Sequence, residues 1–298
     1  MVGSIASSPA VDLSALPSPV IVPTPDFEAR LADKIARLVA QHPAFTALVE
    51  SDPAIKLLEA DSYDELVLAQ ACNDAARSML LAFARGANLD QLGALMDVPR
   101  LVVTEATDTS EAVLEGDAAY RQRIQLAPHA FSVAGPAQAY VYHARSAHGD
   151  VADATAISPA PGDVDVTVLS RSGDGVPGAS VLAAVRTVLQ DGAVCPMTDR
   201  VSVQGAQLVN YPIEAQLDVF AGPDQNLILE AARASLDAHL AQIRRLDRDV
   251  VRSALIAALH VGNVERVRLI SPPEDIAITA AQIGNPTGIS LSVVETTL

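Results

Sequence analysis

PGDVDVTVLSRSGDGVPGASVL, residues 161–182, carries three structural signals in succession. Val164, Val166 and Val168 alternate with Asp163, Asp165 and Thr167, the period-two pattern of a strand with one buried face. Gly173, Gly175 and Gly178 follow in the spacing G-x-G-x-x-G. Val181, Leu182, Val185, Val188 and Leu189 then recur at helical steps, which predicts a helix from about Ala179 to Gln190. Upstream, VADATAIS at 151–158 and the turn SPAPGD predict a hairpin partner for the valine strand. Downstream, VSVQ at 201–204 predicts another strand, so the segment is expected to form a small β-β-α-β module.

Glycines in this spacing between a strand and a helix are also the dinucleotide fingerprint, in which helix N-terminal N–H groups hold a pyrophosphate. The alternative reading is therefore a nucleotide-dependent enzyme using Gly173, Gly175 and Gly178. It requires an acidic residue at the end of the next parallel strand, about twenty positions on, to bond a ribose hydroxyl. Asp191 falls in the turn after the helix and Asp199 precedes the strand, so neither is placed for that role. Pro177 removes an N–H from the loop, and the valine strand is expected to pair with its hairpin neighbour instead of opening a doubly wound sheet. With no Lys-Ser/Thr after the glycines, a P-loop is excluded. The loop reads as a plain strand-to-helix turn.

Working outward, the 298 residues suffice for two or three compact domains, and 50% apolar composition supplies real cores. Twenty Lys+Arg against 36 Asp+Glu give a formal charge of −16, which repels phosphate backbones and argues against nucleic acid as a partner. Aromatic content of 3% without tryptophan leaves few platforms for bases or sugars. Cys72 and Cys195 lack metal or redox spacing and read as small buried apolar residues. The N-terminus has no basic n-region, and the uncharged run 124–144 is broken by Gln, His, Gly and Pro, so neither a signal peptide nor a membrane span is expected.

Residues 1–25 form a Ser/Pro/Ala-rich arm expected to be flexible or laid against a partner. Phe27, Leu31, Ile35, Leu38 and Val39 then predict a helix capped by Asp26. A second helix is expected from Asp61 or Ser62 to about Arg85, with Leu66, Ala69, Ala76, Leu80 and Phe83 as its stripe and Gly86 as its stop. A short helix, Asn88–Met96, is expected to be capped by Asn88, and two more follow Asp117 and Gly135.

Beyond residue 206, a strand over 211–220, helices over 227–244 and 250–260, the strand VERVRLIS and a closing strand near ISLSVV after the turn NPTG predict an α+β module. Arg244, Arg245 and Arg248, interleaved with Asp247 and Asp249, read as a salt-bridged helix end. His143 and His148 are five apart, which does not stack ligands on one helix face, and Asp163 and Asp165 read as a solvated strand face. No nucleophile elbow, zinc-protease or EF-hand pattern is present. The expectation is therefore no catalytic residue, no cofactor and no metal.

Several stretches in order resemble the baseplate J family of contractile-tailed bacteriophages. They are GANLDQLGALMDVPRL at 86–101, DAAYRQRIQLAPHAFSVAGPAQAYVYHARSA at 117–147, PGDVDVTVLSRSGDGVPGASVL at 161–182, PMTDRVSVQGAQLVNYPI at 196–213 and DRDVVRSALIAALHVGNVERVRLISPPEDI at 247–276. The resemblance implies a structural baseplate wedge subunit, not an enzyme, located in the virion tail and assembled in the host bacterial cytoplasm. It implies a partner wedge protein, protein I-like, bound through an N-terminal helical bundle, and self-association between wedges through C-terminal domains. Contacts with a lysozyme-like sheath initiator and with the central hub and spike are also implied. On that basis residues 26–42 and 62–85 are the bundle candidates, with Phe27, Leu31, Ile35, Leu38, Leu66, Leu80 and Phe83 as partner-interface residues. The fold class expected is α+β: a flexible arm at 1–25, a mainly helical N-terminal domain at 26–150, a middle β-β-α-β module at 151–206 and a C-terminal α+β module at 207–298.

Overall fold

The computed structural model describes residues 13, 16–17, 19–23, 26–45, 49–132, 135–220 and 225–295. Most of the arm expected over 1–25 lies outside them. The chain is α+β and falls into two compact units that divide between Pro99 and Arg100.

The N-terminal unit holds α1 (Phe27–Gln41), α2 (Pro53–Ser78) and α3 (Gly86–Ala94). Asp26 caps α1 as expected, its carboxylate accepting the Glu28 N–H at 3.1 Å. The second helix starts more than two turns before Asp61: Asp52 is its cap, accepting the Ala54 N–H at 2.8 Å, and Pro53 opens its first turn. Pro53 is thus a start signal and not a break, because a first-turn residue has no intrahelical partner for its N–H to lose. The helix also ends at Ser78, well before Arg85, and Gly86 opens α3 instead of stopping α2. Asn88 consequently lies inside α3, whose cap position is Arg85.

The second unit begins with a short antiparallel pair that the sequence pattern did not announce, β1 (Val102–Thr104) and β2 (Val113–Leu114). Next come α4 (Asp117–Leu126), a 3-10 turn over Ala127–Phe131 and α5 (Ala137–Ser146). The middle module is the expected β-β-α-β: β3 (Val151–Ala160), β4 (Asp163–Ser170), α6 (Ala179–Leu189) and β5 (Arg200–Gly205). β4 is central, antiparallel to β3 and parallel to β5. Val164, Val166 and Val168 face Tyr140 and Ala144 of α5 and Val181, Val185 and Leu189 of α6 in one core.

In the C-terminal module, β6 (Gln207–Val219) lies between β7 (Val264–Ser271), antiparallel, and β8 (Gln282–Glu295), parallel. α7 (Gln225–Ile243) and α8 (Arg252–Leu259) cover one face, burying Ile228, Ala232, Leu236, Leu255 and Leu259 on Ile213, Ala215, Leu217 and Val219. The tetrapeptide NPTG is no turn: it runs inside β8, with an irregularity where Pro212 of β6 pairs Gly288. A long parallel partner fixes these residues as extended, overriding their turn preference.

Only Ala206 separates β5 from β6, so residues 200–219 run almost continuously from one sheet into the next. Leu169, Ala206, Leu246 and Ile283 form a buried cluster at this junction. Three polar contacts cross it: Leu246 N–H to Asp153 at 3.3 Å, the Thr155 hydroxyl to the Ala280 carbonyl at 2.5 Å, and Arg244 to the Gly173 carbonyl at 3.2 Å.

Candidate interaction surface

The pairing of α1 with α2 is more ionic than apolar. Lys34, only 5% exposed, donates to Asp61 Oδ2 at 2.7 Å and lies 3.1 Å from Glu65 Oε1, while Arg30 also pairs with Glu65. Burial works against the Lys34 charge, but the two carboxylates outweigh it and hold its pKa above the ordinary lysine value. The hydrogen bonds from Arg30 and Lys34 likewise hold Glu65 below the usual carboxylate range. Of α2, the fully buried side chains are Ile55, Ser62, Ala69 and Asn73. Asn73 is committed to the chain's own upstream segment, accepting the Ile21 and Val22 N–H groups at 3.0 and 2.9 Å and donating to the Val22 carbonyl at 2.8 Å.

A helix with so little apolar burial on one side carries its large side chains elsewhere. Leu57 and Leu68, 73% and 65% exposed, lie eleven residues or three helical turns apart and so share one face of α2, and Met79, 75% exposed, follows after another eleven at the helix's C-cap. Val67 and Tyr63 flank them, also exposed. A shallow depression of about 480 Å³ lies beside them, lined by Leu66, Val67, Gln70, Ala71 and Asp74. Cys72 is exposed on the same helix and Cys195 is half-buried, correcting the expectation that both are core residues.

Of the seven residues singled out from the sequence, Phe27, Leu31, Ile35, Leu38, Leu66 and Phe83 are half-buried and Leu80 is 40% exposed. Along α2 and its C-cap the apolar residues most open to water are instead Leu57, Leu68 and Met79, which sequence reasoning passed over. Their eleven-residue spacing was available in the sequence, but the helix was placed to begin after Leu57 and to continue past Met79.

The glycine loop is built as a joint. Gly173 and Gly175 have φ of +62° and +107°, which a side chain adopts only with strain. A Cβ on Gly175 would lie 2.8 Å from Leu169 Cδ1, and the Gly175 carbonyl accepts the Ser170 N–H at 2.8 Å. β4 is paired on both sides, so its parallel crossover to β5 meets one condition of the nucleotide reading better than the sequence implied. The ribose-binding carboxylate remains missing: Asp199 accepts the Tyr140 hydroxyl at 2.7 Å and Asp191 accepts the Ala193 N–H at 2.9 Å. Arg244 spans from the C-terminal module to the loop, so it is not the salt-bridged helix end expected for residues 244–249, and Asp249 accepts the Ile278 N–H. Asp165 accepts the Ser202 hydroxyl at 2.6 Å. Among the described residues no cluster of three potential metal ligands occurs, and no helix is long and apolar enough to cross a membrane.

Below α4 lies the most buried charge pair. Arg123 and Glu115, whose side chains are 2% and 1% exposed, meet at 2.7 Å (Nη2 to Oε2) with further contacts from Nε at 3.0 and 3.1 Å. Arg123 also donates to Ser146 of α5 at 3.1 Å, tying the β2–α4 connection to the helix that packs on the middle sheet.

Comparison with known proteins matches three successive segments. Residues 50–107 match the baseplate J-like N-terminal domain, 132–205 the baseplate J-like central domain and 211–292 the baseplate J-like protein C-terminal domain. Baseplate protein J of Escherichia phage P2 is 44% identical over 285 residues, covering 92% of this chain and 94% of that protein.

Proposed function

Because the chain belongs to the baseplate J family, and so is a structural component of a phage tail baseplate and not an enzyme, we propose that it acts there as a wedge subunit. Its N-terminal helices bind a partner wedge protein resembling protein I, and its C-terminal module associates with neighbouring copies. The resulting ring surrounds the hub and spike, contacts the sheath initiator and passes the contraction trigger to the sheath.

The observation that carries this reading is the exposed face of α2. Leu57, Leu68 and Met79 form a stripe that the N-terminal unit leaves open to water. A stripe of this kind stabilises an assembly once a partner helix covers it. Asp64 is exposed on the same face, so the matching helix carries apolar residues at the same spacing with a lysine or arginine beside them.

Co-expression with the partner wedge protein tests the reading. Leu57→Asp and Leu68→Asp are each expected to abolish co-purification while the circular dichroism of the isolated chain is unchanged. A complex that survives both substitutions rules out α2 as the docking helix.

A further inference from the structure

The two edges of the C-terminal sheet are built differently. β7 carries Glu265, Arg266 and Arg268 along its length, the charged pattern that keeps an open edge from pairing with other chains. β8 has no charged residue from Gln282 to Val294, in a chain with 56 charged residues. No strand of the described residues pairs with its outer edge.

The side chains of β8 show what is missing. Ile289, Leu291 and Val293 stand in register with Ile213, Ala215 and Leu217 of β6, whose exposures are 1%, 1% and 0%. Yet the β8 residues are only half-buried, because their outer flank opens into a groove. That groove, about 500 Å³, is lined by Leu229, Glu230, Arg233, Ala234 and Asp237 of α7 together with Ile289 and Leu291. Pro286, which has no N–H to donate, limits the stretch able to pair to the residues beyond it.

We infer that the outer edge of β8 pairs with β8 of a second copy, antiparallel about a two-fold axis, to make one six-stranded sheet. This deepens the self-association named above and rests on that part of the reading. A second copy suits the edge because two chains of charge −16 repel, and an uncharged strand is where they approach without like charges meeting. Pairing about Leu291, near the middle of the stretch beyond Pro286, sets Ser290 of each copy opposite Ser292 of the other. The two α7 helices then lie on the same face and close the groove over the seam.

Sedimentation of the full chain across a concentration series tests this. The unmodified chain is expected to dimerise, and Ser290→Lys with Ser292→Lys, which puts lysine opposite lysine, to weaken the dimer about tenfold or more. The corresponding double glutamate variant should weaken it likewise, and mixing the two should restore a heterodimer. A monomeric unmodified chain, a dimer indifferent to the lysines, or a mixture that forms no heterodimer would each overturn the proposal. Loss of the β8 contact with the α2 complex intact, or the reverse, separates failure here from failure of the wedge-partner reading.

Discussion

Replacing Arg123 by methionine removes a guanidinium that is 2% exposed and leaves the Glu115 carboxylate, 1% exposed, without its main partner. Methionine fills similar volume, so the loss is electrostatic and not a cavity. Arg171 Nη2 stays 3.7 Å from Glu115 Oε1, beyond good hydrogen-bond distance. The stacking of Arg123 on Tyr120, at 5.7 Å, also goes, while Arg100 stays 4.6 Å above that ring. Breaking one side of a buried ion pair costs about 3–5 kcal/mol. With a urea slope of about 2–3 kcal/mol/M, the midpoint of the second unit should fall by roughly 1–2 M. Urea titration followed by tyrosine fluorescence measures it, since Tyr120 and Tyr140 are buried in this unit and tryptophan is absent. The double variant Arg123→Met, Glu115→Gln should be less destabilised than Arg123→Met alone, because no carboxylate is left stranded. A single-variant loss below about 1 kcal/mol, or a double variant worse than the single, would refute the account.

Three further outcomes are expected. Gly175→Ala should cost about 1–3 kcal/mol from its φ of +107° and the Leu169 contact, whereas Gly178→Ala, at φ −67° with open space around it, should be nearly neutral in thermal unfolding. In Asp150, burial opposes the charge, but hydrogen bonds from the Ser170 and Ser172 hydroxyls and the Ser172 N–H, with nearby His148, hold the pKa below the ordinary aspartate value. Its contribution to stability is therefore complete above that ordinary value and disappears as pH falls below about 4, so Asp150→Asn should lower the melting temperature at pH 7 and flatten its acid limb. Saturating NAD, NADP or ATP should leave the melting temperature unchanged, where a true ligand at a hundredfold its Kd would add about 2.7 kcal/mol.

The middle module was legible in the sequence because each element there satisfies a local rule: alternating valines for β4, helical spacing for α6, a turn between β3 and β4. The N-terminal helices were legible as helices but not in their limits. Pro53 reads equally as an interruption and as a first-turn residue, and only the Asp52 cap in space decides. NPTG misled because turn propensity is local, while the thirteen-residue pairing with β6 that holds it extended is not. The interface residues were displaced for a related reason: Leu57, Leu66, Leu68 and Met79 all look apolar on paper, and which side faces water depends on Lys34, Asp61 and Glu65 meeting across α1 and α2. A buried lysine drawing two helices together leaves no trace in hydrophobic periodicity.

The single residue between β5 and β6 sets how motion crosses the second unit. Ala206 is 4% exposed, its N–H bonds the Val168 carbonyl at 2.9 Å, and the neighbouring Gln207 N–H bonds the Ala281 carbonyl at 2.9 Å, so neither strand has slack where they meet. Leu169 of β4, Ile283 of β8 and Leu246 from the α7–α8 connection close around it, and Arg244 reaches across to the glycine loop. A hinge needs backbone that can absorb a change in φ and ψ, and here the Ala206 and Gln207 N–H groups are both held, one by each sheet. Torque applied at β8 is therefore expected to reach β3 through a stiff joint instead of being lost at a hinge, and the glycines that looked like a nucleotide cradle sit where Arg244 bolts the two modules together.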